Sequence, residues 1–142
     1  MTILCPLDFS AASSGLVAYA AALAVATGAE LRLLHVCERP NNPAGRARSA
    51  GATAAPEPGA EEMQDLQTAA KQAGVARVHT SIVQGEAAPE IVAEASRQQA
   101  DLIVIGAHGR TGLTRFLMGT TAEIVLRTAH CTTLLVRAPL AF

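Results

Sequence analysis

Short apolar runs of strand length alternate along this chain with segments in which apolar residues recur at helical spacing. Thr2 to Leu7 opens as a buried strand, and Ser10 follows as a natural helix cap, its side-chain oxygen available to the free amides of the next turn. Leu16, Ala20 and Leu23 then recur with helical period as far as Gly28, a residue suited to the left-handed end of a helix. Leu31 to Val36 makes a second strand. After it the periodicity disappears: Glu38 to Ala60 (residues 38–60) is rich in Pro, Ala, Gly and Arg and predicts a long flexible surface loop. Met63, Leu66, Ala70 and Ala73 mark one face of a helix that stops at Gly74, and Val78 to Val83 forms the next strand. Pro89 then stands in the opening turn of a helix, where its missing amide is harmless, with Glu86 and Glu90 at the positive end of the dipole. Asp101 introduces the strand Leu102-Ile103-Val104-Ile105. A last helix runs from near Thr120 to near Ala129, and Thr132 to Arg137 forms the final strand, stopped by Pro139.

Strict alternation of strand and helix predicts an α/β domain, a doubly wound parallel five-stranded sheet in three layers, α/β/α, and uniformly apolar strands agree with it. A chain of 142 residues fits one domain and buries roughly two-thirds of the surface its unfolded form exposes. Sites in such sheets lie at the carboxyl ends of strands, beside a switch in strand order.

Composition narrows the partners. Half of the residues are hydrophobic and the net charge is only -1, which argues against a nucleic-acid or membrane-surface protein, since those need a concentrated basic face. The run Gly15 to Ala26 has the look of a signal-peptide core, but Asp8 precedes it, no Lys or Arg occurs before Arg32, and it is shorter than the roughly 20 residues of a membrane span. It reads as an Ala-rich buried helix. Cys5, Cys37 and Cys131, with no export signal, predict reduced thiols in a cytoplasmic setting, packed as small hydrophobes in or near the core. A redox or metal pair of Cys5 and Cys37 with His35 is the alternative, and no CxxC supports it.

The chemistry gathers after the fourth strand, where Gly106-Ala107-His108-Gly109-Arg110 is followed by Gly119-Thr120 in the spacing G-x2-G-x9-G-[ST]. Without a Cβ, Gly106 and Gly109 let the backbone turn sharply and aim its amides at an anion, or serve only a tight turn. Gly119 and Thr120 repeat the device at a helix N-terminus, where unpaired amides favour negative charge. Thr120 and Glu123 also form a capping box, in which the Thr120 hydroxyl accepts from the Glu123 amide while donating to a phosphate oxygen. Arg110 and Arg115 suit the β- and γ-phosphates as charge-assisted donors; Arg46 and Arg48 read as solvated loop residues. Rival signatures are missing: no Walker A loop, no G-x-G-x-x-G after the first strand, and no G-x-S-x-G elbow in the serine-rich Ser10 to Ser14.

This loop, together with the opening Ile3-Leu4-Cys5-Pro6-Leu7-Asp8-Phe9-Ser10 and the close Leu134-Leu135-Val136-Arg137, resembles the ATP-binding branch of the universal stress protein family. The resemblance implies an adenine nucleotide alpha hydrolase-like, Rossmann-like sheet of order 3-2-1-4-5, with Asp8 and Gly106 facing each other across one crevice. It implies ATP as ligand, with Mg²⁺ as a possible companion. Asp8 would accept from the ribose hydroxyls or the adenine edge, or is a plain helix-start aspartate. Pro6, Leu7, Val36 and Ile105 would form the adenine slot, main-chain groups of Val36 reading its edge, or are ordinary core. The phosphates would fall to Gly106, His108, Gly109, Arg110, Gly119, Thr120, Thr121 and Glu123; His108 is equally readable as a solvated loop histidine. Thr121 stands where family members often carry valine. The resemblance also implies a homodimer, formed by antiparallel pairing of strand 132–137, an apolar sheet edge, with Leu140 and Phe142 on the neighbour. The crevice lacks an evident metal-binding carboxylate pair, so binding is favoured over turnover. A slow ATPase, with His108 or Glu123 orienting water, and a ligand-free dimerisation scaffold are the alternatives.

Overall fold

The computed structural model describes residues 1–38, 59–107 and 120–137. Among them strand and helix alternate as β1 (Thr2–Leu7), α1 (Ser13–Thr27), β2 (Glu30–Cys37), α2 (Ala60–Gln72), β3 (Val78–Gln84), α3 (Ala87–Arg97), β4 (Leu102–Gly106), α4 (Thr120–Thr128) and β5 (Thr132–Val136). The strands form one sheet in the order β3-β2-β1-β4-β5, every pair parallel. The expected architecture is the observed one.

Alternation of side chains across each strand sorts the core into two layers. Ile3, Cys5 and Leu7 join Leu31, Leu33 and Val104 under α1 and α2, which contribute Leu16, Val17, Ala20 and Met63. On the other face Leu4, Leu34, Ile103 and Ile105 pack against Ala88, Ile91 and Ala95 of α3 and Ala122 and Val125 of α4. Helices on both sides are why β1 and β4 read as continuous apolar runs. β3, at the sheet edge, departs from that pattern: His79 and Thr80 are exposed, because an edge strand is covered over only part of its length.

Two local expectations change. α1 begins at Ser13, with Ala12 in the capping position and no side-chain cap, so Ser10 is not its N-cap. The Asp8 carboxylate organises the turn instead: its Oδ1 accepts from the Ser10 amide at 2.9 Å and the Ser13 hydroxyl at 3.4 Å, while Ser10 Oγ takes only the Ala12 amide at 3.3 Å. An ionised carboxylate is the stronger acceptor, and it claims the donors first. Nor is α1 buried all round. Its inner face holds Leu16, Val17, Ala20, Ala21 and Ala24, whereas Tyr19 and Val25 are 46% and 50% exposed. Gly28 ends it as expected, at φ +71°, with its amide on the Ala24 carbonyl.

Strand register separates two of the cysteines. Cys5 lies opposite Leu33 on β2, and Cys37 is four residues further along that strand, about 13 Å at strand rise. The Cys5 thiol is sealed in the α1/α2 layer, and burial pushes its pKa far above the ordinary thiol range. It acts as a small hydrophobe.

At the amino ends of the strands, Thr2 and Asp101 pin β4 to β1 through two bonds of 2.8 Å, Thr2 amide to Asp101 Oδ2 and Asp101 amide to Thr2 carbonyl. Glu30 accepts the Thr2 hydroxyl at 2.9 Å and faces His79 Nε2 at 3.1 Å. The Thr2 hydrogen bond holds the Glu30 carboxyl below its usual range; partial desolvation opposes this, and Arg32, His79 and Arg77 reinforce it. A depressed carboxyl stabilises the fold above the unfolded carboxylate pKa, about 4.3, and that contribution is lost as pH falls through the folded value. Glu30→Gln therefore lowers stability at pH 7 by about 1 kcal/mol. Urea midpoints measured from neutral pH down to pH 3 should show the parent and variant converging as the medium acidifies.

Candidate nucleotide site

Pro6 interrupts the hydrogen bonding of the central strand. It has no amide proton, and a proline within an interior strand removes a ladder bond on one side. The β1–β2 ladder runs through it without a break, from Thr2↔Glu30 to Leu7↔His35. Pairing with β4 covers only Ile3↔Leu102 and Leu4↔Ile103, although β1 continues to Leu7 and β4 to Gly106. β4 meanwhile stays paired with β5 as far as Gly106↔Val136, and the Ala107 amide reaches the Val136 carbonyl at 2.8 Å. Past Leu4 the hydrogen-bonded ladder between the two central strands stops. This gap in the ladder lies at their carboxyl ends, where the strand order reverses and where ligands bind in sheets of this kind.

The lips of this gap hold several of the expected residues. Pro6 is buried and, by alternation, shares the α3/α4 face with Leu4; Val36 and Ile105 belong to the same layer. Leu7 does not join them, because its side chain lies in the α1/α2 layer. Any contact Leu7 makes in the gap comes from its main chain. Asp8 stands half-buried at the end of β1, and Gly106 half-buried at the end of β4. α4 opens its described part with Thr120, exposed, and Thr121, half-buried, both helical. Glu123 extends forward along the helix, its Oε1 on Arg127 Nη2 at 3.1 Å. His108, Gly109, Arg110, Arg115 and Gly119 lie outside the described residues, as do Arg46, Arg48, Pro139, Leu140, Phe142 and nearly all of the 38–60 segment.

Two residues beside Asp8 have contacts there that the sequence reading did not assign to them. His35, buried on β2, donates from Nδ1 to the Leu7 carbonyl at 2.8 Å; a carbonyl only accepts, so Nδ1 carries the proton. Its ring stacks on Phe9, with centroids 4.1 Å apart and planes at 30°. Phe9 has φ +58°, the left-handed region that non-glycine residues seldom occupy. A histidine inside an apolar strand and an aromatic directly after the motif aspartate were the available signals. Glu38 was also missed: its Oε2 accepts the Ala87 amide at 3.0 Å and serves the amino end of α3, where the Glu86 side chain makes no cap.

Among the described residues, no three His, Cys, Asp or Glu side chains are gathered as a metal site, and no helix is long and apolar enough to cross a membrane. A hollow between α2 and β3, lined by Met63, Gln67, Thr80 and Ile82, lies at the far edge of the sheet, two strands from β1.

A parallel sheet wound in both directions from a central switch point defines a doubly wound α/β protein. The sequence profile of the universal stress protein family matches residues 1–137, and the chain belongs to that family. It is 43% identical over 83 residues to the universal stress protein MJ0531 of Methanocaldococcus jannaschii, an alignment that takes in 58% of this chain and 48% of that relative. The chain thus spans about half the length of that curated relative. Among solved structures, universal stress protein UspA from Lactobacillus plantarum superposes with a TM-score of 0.82 at 26% identity, covering 96% of this chain and 97% of that one. A universal stress protein in complex with cAMP superposes with a TM-score of 0.76 at 23% identity, covering 97% of each chain.

Proposed function

We propose that this chain is an ATP-binding regulatory module of the stress response, acting as a cytoplasmic homodimer. The observation that carries the reading is the end of the β1–β4 ladder at Leu4↔Ile103, at the switch in strand order, with Asp8 following the carboxyl end of β1 and Gly106 ending β4. The cAMP complex of a fold neighbour supports an adenine nucleotide, and the G-x2-G-x9-G-T spacing supplies main-chain amides enough for a polyphosphate. In this reading Pro6, Val36 and Ile105 flank the adenine, with Leu7 contributing main chain, and Asp8 accepts from the ribose. Gly106, His108, Gly109, Arg110, Gly119, Thr120, Thr121 and Glu123 surround the phosphates, and Mg²⁺ enters with them.

The module binds rather than turns over. Its two carboxylates are already engaged, Asp8 by Ser10 and Ser13 and Glu123 by Arg127. Single-turnover incubation with ATP and Mg²⁺ should give hydrolysis no faster in the parent than in Gly109→Ala. Dimerisation would proceed through β5, an edge strand whose Thr133 to Val136 side chains are half-buried; a monomer by light scattering at micromolar concentration would count against it. The deciding measurement is thermal melting with ATP. Ligand at about a hundred times its dissociation constant stabilises by about 2.7 kcal/mol, which raises the melting temperature by roughly 8–10 °C in a domain of this size. Millimolar ATP that leaves the melting temperature unchanged would refute the reading.

A further inference from the structure

We propose that Phe9 and His35 form a positioning pair that holds the Asp8 carboxylate toward the ribose, so that discrimination for ribose hydroxyls depends on two residues outside the nucleotide's reach. The inference rests on the adenine-nucleotide reading above and assigns it a determinant of sugar specificity.

Asp8 keeps its orientation because the chain doubles back directly after it, returning the Ser10 amide and the Ser13 hydroxyl to Oδ1. That reversal requires Phe9 at φ +58°, a conformation disfavoured for an L residue and retained only where the surroundings impose it. Here they do. One side of the Phe9 ring lies on the His35 ring. The ring also abuts Gly59, just before α2, where a methyl group would collide with it. His35 is fixed in turn by its Nδ1 bond to the carbonyl of Leu7, the residue immediately before Asp8. The circuit closes on itself: Leu7 carbonyl, imidazole, phenyl ring, left-handed backbone, and back to the carboxylate. With either ring removed, Phe9 is free to relax to an ordinary φ, and the two donors leave Oδ1. A carboxylate offers about four acceptor positions, so one anchored by this turn can still receive sugar hydroxyls, provided its orientation is held.

Calorimetric titration with ATP and with 2′,3′-dideoxy-ATP tests the pair. The parent should bind ATP tighter by about tenfold or more, the worth of hydrogen bonds to a charged acceptor. Phe9→Ala removes the ring and leaves a side chain that disfavours φ +58° once the ring contacts are gone; His35→Phe keeps a stacking ring but deletes the donor to Leu7. In both, ATP affinity should fall while dideoxy-ATP affinity changes by less than about twofold, shrinking the ratio at least threefold. A pair that merely packs the core would weaken both ligands equally, and an unchanged ratio in either variant overturns the proposal. If Phe9→Ala fails to melt cooperatively, His35→Phe decides alone. A parent that binds both nucleotides equally shows that Asp8 does not read the ribose, which sinks this proposal and leaves ATP binding standing. A parent that binds neither sinks the nucleotide reading itself.

Discussion

Leu4→Ala lowers the unfolding free energy by about 3–4 kcal/mol, at the middle of the range for a fully buried leucine. Leu4 is completely inaccessible and sits on the central strand, in the layer of Leu34, Ile103 and the α3 and α4 side chains. It is also the last β1 residue paired to β4. Its neighbours on both sides are fixed in the sheet, so they cannot move in to fill the void, and the cavity cost adds to the lost transfer energy. Against a typical domain stability of about 5–15 kcal/mol, the loss is large. Urea unfolding with an unchanged slope should report it, and Ile124→Ala, at a position 38% exposed, should cost less than about 1 kcal/mol. A Leu4 effect that small would contradict close packing beneath the gap.

The second large effect falls on binding. Asp8→Ala should reduce ATP affinity by about 10–100-fold, the equivalent of about 1.5–3 kcal/mol for hydrogen bonds to a charged group. It should also destabilise the fold by about 1 kcal/mol, because the Ser10 amide and Ser13 hydroxyl lose their acceptor. Asp8→Asn separates the two roles. The amide oxygen can still receive the Ser10 amide, so the melting temperature should stay near that of the parent, while loss of the charge weakens ATP by about tenfold. Calorimetry and melting curves on both variants supply the answer. ATP affinity unchanged in each would leave Asp8 as an ordinary turn aspartate.

The parallel architecture could be read from the chain because both faces of the inner strands are covered. Ile3-Leu4-Cys5 and Ile103-Val104-Ile105 need no polar alternation, and the residues between strands carry a helical period. The proposed phosphate loop comes from the sequence for a different reason: glycine spacing encodes what a backbone can do, and the backbone would be the working part of such a loop. What escaped was competition between neighbours. Ser10 has the right chemistry to cap a helix, but Asp8, two residues earlier, is the better acceptor, and only three-dimensional placement determines which one takes the donors. α1 has no charged residue between Asp8 and Glu30, so nothing in its composition marked Tyr19 and Val25 as outward-facing.

By itself, then, the sequence determined the order of elements, the family and the spacing of the glycine loop, since all of these are encoded in local period and residue type. Tertiary structure alone decided that Leu7 packs on the face opposite Val36 and Ile105, that the β1–β4 ladder ends at Leu4↔Ile103, and that the His35 and Phe9 rings stack beside Asp8. Each of those depends on register between strands distant in the chain. A shift of one residue in register moves every side chain to the other face, and no local pattern records which partner a strand will meet.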